Sequence, residues 1–317
     1  MTAGPKETCP SGASSWLPWK GAPSPDLAPD MAEDFTSWIG RNTTRRDIVT
    51  ERLIAEYNAT LHPFLHQPAG REAPPGLHWA LAPAMPRTSE LGPDGAETKG
   101  FFLPPIPLPR RMWAGGAIET LAPLTVGTKI KRQSVISDIR HREGRSGPLC
   151  IVSVTHEVMT VGRIFLREKQ ELVFRAFGLA SKEDRPAPPT ANNGLVWKVP
   201  ISSTLLFRFS AMTFNGHRIH YDHPYAVESE GYAGLVAHGP LQASLLLNQA
   251  ATLLGKTPAI FEYRCLAPLI ADGVAEVRSW IDGDAVRGMI LASNGTPTCE
   301  ARAISRDEAR APERGST

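Results

Sequence analysis

The residues most able to do chemistry lie in TFNGHRIHYD, residues 213–222, followed by His223; three of the chain's nine histidines, His217, His220 and His223, fall within seven positions. Imidazole exchanges protons near neutral pH. With Asn215 and Asp222 beside it, this segment suits proton transfer to or from a bound molecule, and the blander reading is a hydrogen-bonded loop. Asp222 is placed to cap a short helix over 222–229. His217 and His220, three apart, have no thiolate or third ligand at metal-site spacing, so a zinc centre is not indicated. A second signal is GLVAHGP, residues 234–240, where a small apolar run leads into an apolar helix. Amides at a helix N-terminus are unpaired and partly positive, and a glycine lets an oxygen approach them closely. Gly239 is therefore a candidate oxyanion donor, with Pro240 fitting the first helical turn. His238, just before it, is expected to be a buried, hydrogen-bonded histidine in the wall that meets the substrate. A third signal is RRMWAGG, residues 110–116: Arg110 and Arg111 offer guanidinium groups suited to a carboxylate or a phosphate, with Arg218 and Tyr221 of the histidine segment as alternatives.

Positioning these groups needs a framework, and the hydrophobic pattern supplies one. Residues 1–30 are rich in Pro, Gly and Ser and read as a disordered arm. TTRRDIVTERLIAEYNATL, from Thr43, predicts one amphipathic helix with Ile48, Leu53, Ile54 and Tyr57 near one face. The prolines between about 61 and 111 predict a long irregular excursion. Three alternating segments then predict an antiparallel meander over about 128–177. The stretch 181–195 reads as a linker between an N-terminal half, 31–180, and a C-terminal half, 196–305, with a frayed tail at 306–317. The second half repeats the plan: a strand at 203–209, the histidine segment, the apolar helix HGPLQASLLLNQAATLL, and strands near 258–266, 274–282, 285–292 and 298–305. That helix carries leucines around much of its circumference and must be buried on most sides. The fold class is α+β, each half an antiparallel sheet curled around a central helix.

Composition narrows the partners. Of 317 residues, 34 are Lys or Arg and 32 are Asp or Glu, a formal charge of +2 with no long basic run, so nucleic acid is not an expected partner. Cys9, Cys150, Cys265 and Cys299 are scattered without a disulfide or zinc pattern. Cys150 and Cys265, and the tryptophans at 38, 79, 113, 197 and 280, read as packing groups. The N-terminus lacks the apolar core of a signal peptide and no window reaches a membrane span. The expectation is a cytoplasmic protein without membrane contact.

The block FSAMTFNGHRIHYDHPYAVESEGYAGLVAHGPL, residues 209–241, resembles the hydratase-2 segment of the MaoC-like double-hotdog dehydratases. It is most similar to the branch holding mitochondrial-type hydroxyacyl-thioester dehydratases and mesaconyl-C4-CoA (3-methylfumaryl-CoA) hydratases. FTSWIGRN, LPRRMWAGG, THEVMTVG and REKQELVFR resemble that branch's companion domain, so the likeness runs over most of residues 35–305. The resemblance implies a double hotdog and an acyl-CoA hydro-lyase, with mesaconyl-C4-CoA hydratase as the specific expectation. A 3-hydroxyacyl-thioester dehydratase of fatty-acid synthesis and a non-catalytic thioester-binding hotdog are the alternatives. The family's acid/base pair sits in an Asp-x-Asn-Pro-apolar-His pattern. On this chain Asn215 falls on the Asp, His217 and Arg218 on Asn-Pro, and Ile219 and His220 on the last two positions. An amide cannot take a proton at neutral pH. The resemblance therefore implies His220 as the acid/base, Asn215 as a water-positioning group, the Gly239 amide as oxyanion donor, and His217 as a loop-ordering residue. Arg110 or Arg111 would meet a substrate carboxylate or the phosphates of coenzyme A. No cofactor or metal is implied, and two such chains could pair as a homodimer.

Overall fold

The computed structural model describes residues 34–144, 147–176 and 194–305. The expected arm at 1–30, nearly all of the linker and the tail at 306–317 lie outside the described residues. The strands are β1 (Asn42–Ile48), β2 (Arg110–Thr120), β3 (Lys129–Gly144), β4 (Gly147–Thr160), β5 (Arg163–Arg175), β6 (Gly194–Ile201), β7 (Ile260–Cys265), β8 (Gly273–Asp282), β9 (Ala285–Leu291) and β10 (Pro297–Ile304). The helices are α1 (Glu51–Leu61), α2 (Ser203–Met212) and α3 (Gly239–Leu254). All strands join one sheet in the order β1-β3-β4-β5-β2-β7-β10-β9-β8-β6, every pair antiparallel.

Folded about its midpoint, that order repeats. The first and third to fifth strands of each half run together, and the second strand lies innermost, so that β2 pairs β7 through Gly115–Glu119 and Ile260–Arg264. The two halves thus share one topology, as their hydrophobic pattern predicted. They differ in what fills the space beside the sheet. In the C-terminal half α3 packs against β7, β8, β9 and β10. Leu241, Leu245, Leu246 and Leu247 of this helix are at most 2% exposed, and burying each such side chain contributes about 1.5–3 kcal/mol. Its two glutamines are bonded: Gln249 Nε2 donates to Val277 O (3.0 Å) and Ser279 Oγ to Gln249 Oε1 (2.7 Å), while Thr298 Oγ1 donates to Gln242 Oε1 (2.8 Å). In the N-terminal half the equivalent chain, between β1 and β2, is the short α1 followed by the proline-rich excursion.

Three expectations are corrected. The helix predicted from Thr43 begins only at Glu51, because Thr50 is its cap, accepting from Leu53 N at 3.1 Å. The residues before it, Asn42–Ile48, alternate in burial and pair with β3 as an edge strand. The strand expected at 203–209 is α2: Ser202 caps it, accepting from Leu205 N at 3.2 Å, and Leu206 and Phe209 turn to the core. The strand of this region is β6, one segment earlier, where Pro200 is tolerated because β6 is a sheet edge. Finally, a strand was not expected between the proline-rich excursion and the meander, yet the basic stretch after the prolines starts β2, which bulges between Trp113 and Gly115 and pairs with β7. Among the described residues, no helix is long and apolar enough to cross a membrane.

Candidate active site

The histidine loop leaves α2 and is tied down at once. Asn215 N donates to Ser210 O (2.8 Å), and Asn215 Oδ1 accepts from His217 N (3.0 Å), an Asx turn that aims the chain into the turn Arg218–His220. Val236 N then donates to Ile219 O (2.9 Å), lacing this turn to the segment entering α3. Asp222 Oδ1 accepts from Tyr225 N (3.1 Å) at the head of the next helical turn, the capping role expected of it. His223 is exposed and outside the cluster.

His220 is 6% exposed, and its Nδ1 lies 2.7 Å from Val236 O. A carbonyl only accepts, so Nδ1 carries the proton and Nε2 keeps a free lone pair. Burial, with help from His217 and Arg111, pulls the His220 pKa down to about 3. The ring is therefore neutral at physiological pH, the form a general base needs. His238 stacks on it, ring centroids 3.6 Å apart and planes at 20°, and its Nε2 pairs with Ser210 Oγ at 2.8 Å. Burial also holds His238 well below the usual histidine range. His217 meets His220 edge-on at 5.4 Å, and its Nε2 lies 3.5 Å from the buried Glu230 carboxylate and 4.0 Å from Asp94.

Gly239 opens α3, where the amide has no carbonyl one turn back to bind. A side chain here would be excluded: a Cβ would lie 2.9 Å from Cβ, Cγ and Cδ1 of Trp113. The glycine thus serves close packing of the β2 indole on the helix tip. Trp113 Nε1 is fixed in turn by Tyr263 Oη at 2.8 Å. Asn215, His217, His220, His238 and Gly239 all line one cavity of about 990 Å³ between the halves, walled also by Trp113.

The sequence-derived arginines separate here. Arg111 lines this cavity, held at 3.6 Å from Asp94 with 19% of its side chain exposed. Tyr221 lines it too, at 47% exposure, its hydroxyl donating to Gly216 O at 2.9 Å. Arg110 does not; it is buried 3.6 Å from Glu230 and over the Tyr232 ring at 4.4 Å. Arg218 does not either, being bound to Asp222 at 2.8 Å, to Pro93 O at 3.0 Å and over Tyr225 at 4.2 Å. Both lie off the cavity wall, their charges met by carboxylates and rings of the protein, an arrangement that holds the loop in place.

Two features of the site escaped the sequence reading. One is the loop Pro93–Gly95 from the N-terminal half, which locks onto the histidine loop. Arg218 N donates to Asp94 O at 2.8 Å, and Gly95 and Gly216 face each other so closely that a Cβ on Gly216 would lie 2.5 Å from Gly95 O. The other is a row of polar residues on the inner face of β3, β4 and β5, where alternation puts Ser134, His156 and Gln170 on the cavity wall. Polar types at inward-facing strand positions were the available signal.

Comparisons with known proteins identify the family and the fold. Residues 76–271 match the family described as "Hydroxyacyl-thioester dehydratase type 2". The mesaconyl-C(4)-CoA hydratase of Chloroflexus aurantiacus is 40% identical over 239 residues, 74% of this chain and 85% of that protein. Among solved structures, a MaoC-like dehydratase superposes with a TM-score of 0.65 at 15% identity, covering 85% of this chain and 98% of the other. A Mycobacterium tuberculosis protein described as a double hotdog gives 0.54 at 14% identity, covering 84% and 96%. A ten-stranded double hotdog, a neutral buried histidine and a helix-tip amide on one cavity, and a match over most of the chain converge: this protein belongs to the hydroxyacyl-thioester dehydratase type 2 family and is a hydro-lyase.

Proposed function

We propose that the protein hydrates the α,β double bond of an enoyl-CoA, with mesaconyl-C4-CoA as its substrate. The observation that carries the reading is the meeting of the His220 Nε2 lone pair and the Gly239 amide on one cavity. His220 Nε2 takes a proton from water while the oxygen bonds to the β-carbon. The π electrons move through the α-carbon to the thioester oxygen, whose charge the Gly239 N–H stabilises; losing such a donor costs about 3–4 kcal/mol in other enzymes. The α-carbon then receives the proton back from Nε2, so one water is added overall. Asn215 spends one lone pair on His217 N, which leaves its amide N–H groups to hold the water oxygen. Arg111 and Tyr221, on the cavity wall, support the binding of the CoA end, and His238 backs the catalytic ring. The substrate follows the relative that shares 40% of its residues. A cytoplasmic setting belongs to the same reading, since Cys265 and Cys299 face each other across β7 and β10 as free thiols.

The test is hydration of mesaconyl-C4-CoA by wild type and His220→Ala. Turnover should fall at least about 10²-fold, the scale of a positioned acid/base, with thioester affinity retained. Unchanged turnover removes His220 from the mechanism. The family description favours a second reading, dehydration of a hydroxyacyl thioester; activity confined to 3-hydroxyacyl substrates on acyl carrier protein would select it.

A further inference from the structure

We propose that the N-terminal half of the cavity ends in a carboxylate-binding subsite formed by Arg132, His156, Gln170 and Ser134, which selects acyl groups bearing a free carboxylate. The proposal rests on the hydratase reading above and deepens it, since it assigns the residues that would recognise a dicarboxylic acyl chain.

The inner face of this half-sheet is apolar at its margins, with Ile130 and Ile136 on β3, Val154 and Val158 on β4 and Leu166 on β5. Between them the register sets Ser134 opposite His156 and His156 opposite Glu168, with Arg132 and Gln170 one inward position away. Such a belt is costly in a core unless each group is bonded, and here several donors are not. Gln170 and His156 are 5% and 6% exposed and line the cavity, yet Gln170 Nε2 and His156 Nε2 find no hydrogen-bond partner among the described residues. Gln170 interacts with both Glu168 and His156, but not in a geometry that satisfies its Nε2.

Charge points the same way. The Arg132 side chain is 12% exposed, and its contacts are loose: Leu81 O at 3.4 Å and Glu168 Oε2 at 4.0 Å. The better oxygen of Glu168 is taken by Trp79 Nε1 at 2.7 Å. Arg45, paired opposite Arg132 in the β1–β3 register, lines the same cavity, so two guanidinium groups face one buried carboxyl. His156 Nδ1 meets Ser134 Oγ at 2.7 Å; with the hydroxyl donating, Nε2–H becomes a further donor. A guanidinium, an amide NH2 and an imidazole N–H around one opening match the oxygens of a carboxylate. Trp79 and Trp113, both in contact with Tyr263, wall the passage from this belt to Gly239.

The experiment uses the full chain, with mesaconyl-C4-CoA and crotonyl-CoA compared, the latter an enoyl thioester lacking the carboxylate. Wild type should prefer the dicarboxylic substrate. Arg132→Gln should lower kcat/KM for mesaconyl-C4-CoA at least about 30-fold and leave crotonyl-CoA within about twofold; Arg132→Lys should retain part of the preference. Gln170→Leu should shift selectivity the same way by a smaller factor, and it carries the test should Arg132→Gln fail to fold. Equal effects on both substrates, or no effect on either, overturn the subsite while the hydratase reading stands. Wild type that hydrates neither thioester overturns the hydratase reading itself.

Discussion

Lowering the pH from 7 to 5 should destabilise this protein through its own histidines. His78 and His220, 4% and 6% exposed, both have pKa values drawn down to about 3, chiefly by burial. In the unfolded chain they titrate near 6.5. The unfolded state therefore binds more protons between these values, and stability falls as pH drops below about 6.5. For one such group the loss between pH 7 and pH 5 is about 2 kcal/mol. Two groups give about 4 kcal/mol, against a typical total of about 5–15 kcal/mol. His156 and His238, also held well below their ordinary range by burial, act in the same direction. Glu168, whose carboxyl burial raises, opposes them as a single group, because a folded state that keeps its proton longer gains stability on acidification. Urea denaturation at pH 7, 6 and 5 should show a midpoint that falls steadily at constant slope. His220→Gln should remove about 2 kcal/mol of the pH 7 to pH 5 difference. A midpoint unchanged or higher at pH 5 refutes the claim that these rings are buried and neutral.

Two further substitutions test the packing that holds the site. Gly239→Ala should cost about 1–3 kcal/mol through overpacking against Trp113, and the double variant with Trp113→Leu should recover part of it; additive losses in thermal melts would mean that the contact is not the cause. Gly95→Ala, at φ +77° and against the Gly216 carbonyl, should displace the catalytic loop and reduce kcat by roughly 10²-fold, the scale of a 1 Å misplacement; full activity in steady-state assays would show that the two loops do not depend on each other.

Much of this fold could be read from the chain, for reasons visible in particular residues. The α3 helix announces itself through an unbroken apolar run with Pro240 at its head and Gly255 in a left-handed conformation at its end. β3 to β5 and β7 to β10 follow from alternation. The errors share a cause, which is that short apolar segments do not declare their period. Leu205 to Phe209 fits strand or helix until Ser202 is recognised as a cap, and Thr43 to Ile48 fits a helix until Thr50 is. β2 was hidden by the prolines before it and the glycines within it. At the site, the histidine spacing and the helix-tip glycine were readable because their chemistry is local. The Asp94–Gly95 clamp and the belt from Arg132 to Gln170 were not, since each exists only once distant strands and loops are set in register.

The unequal repeat of the sheet has a further consequence. Were the two halves identical subunits, any change to the interior of one would appear in both, and a charged lining could not be added without also unsettling the helix that presents Gly239. Fused and free to diverge, one half can keep the apolar helix that presents Gly239 while its sibling carries buried polar and charged side chains on the inner face of its sheet. The inner face of β3 to β5 could then change on its own, with the packing around His220 and Gly239 left as it is.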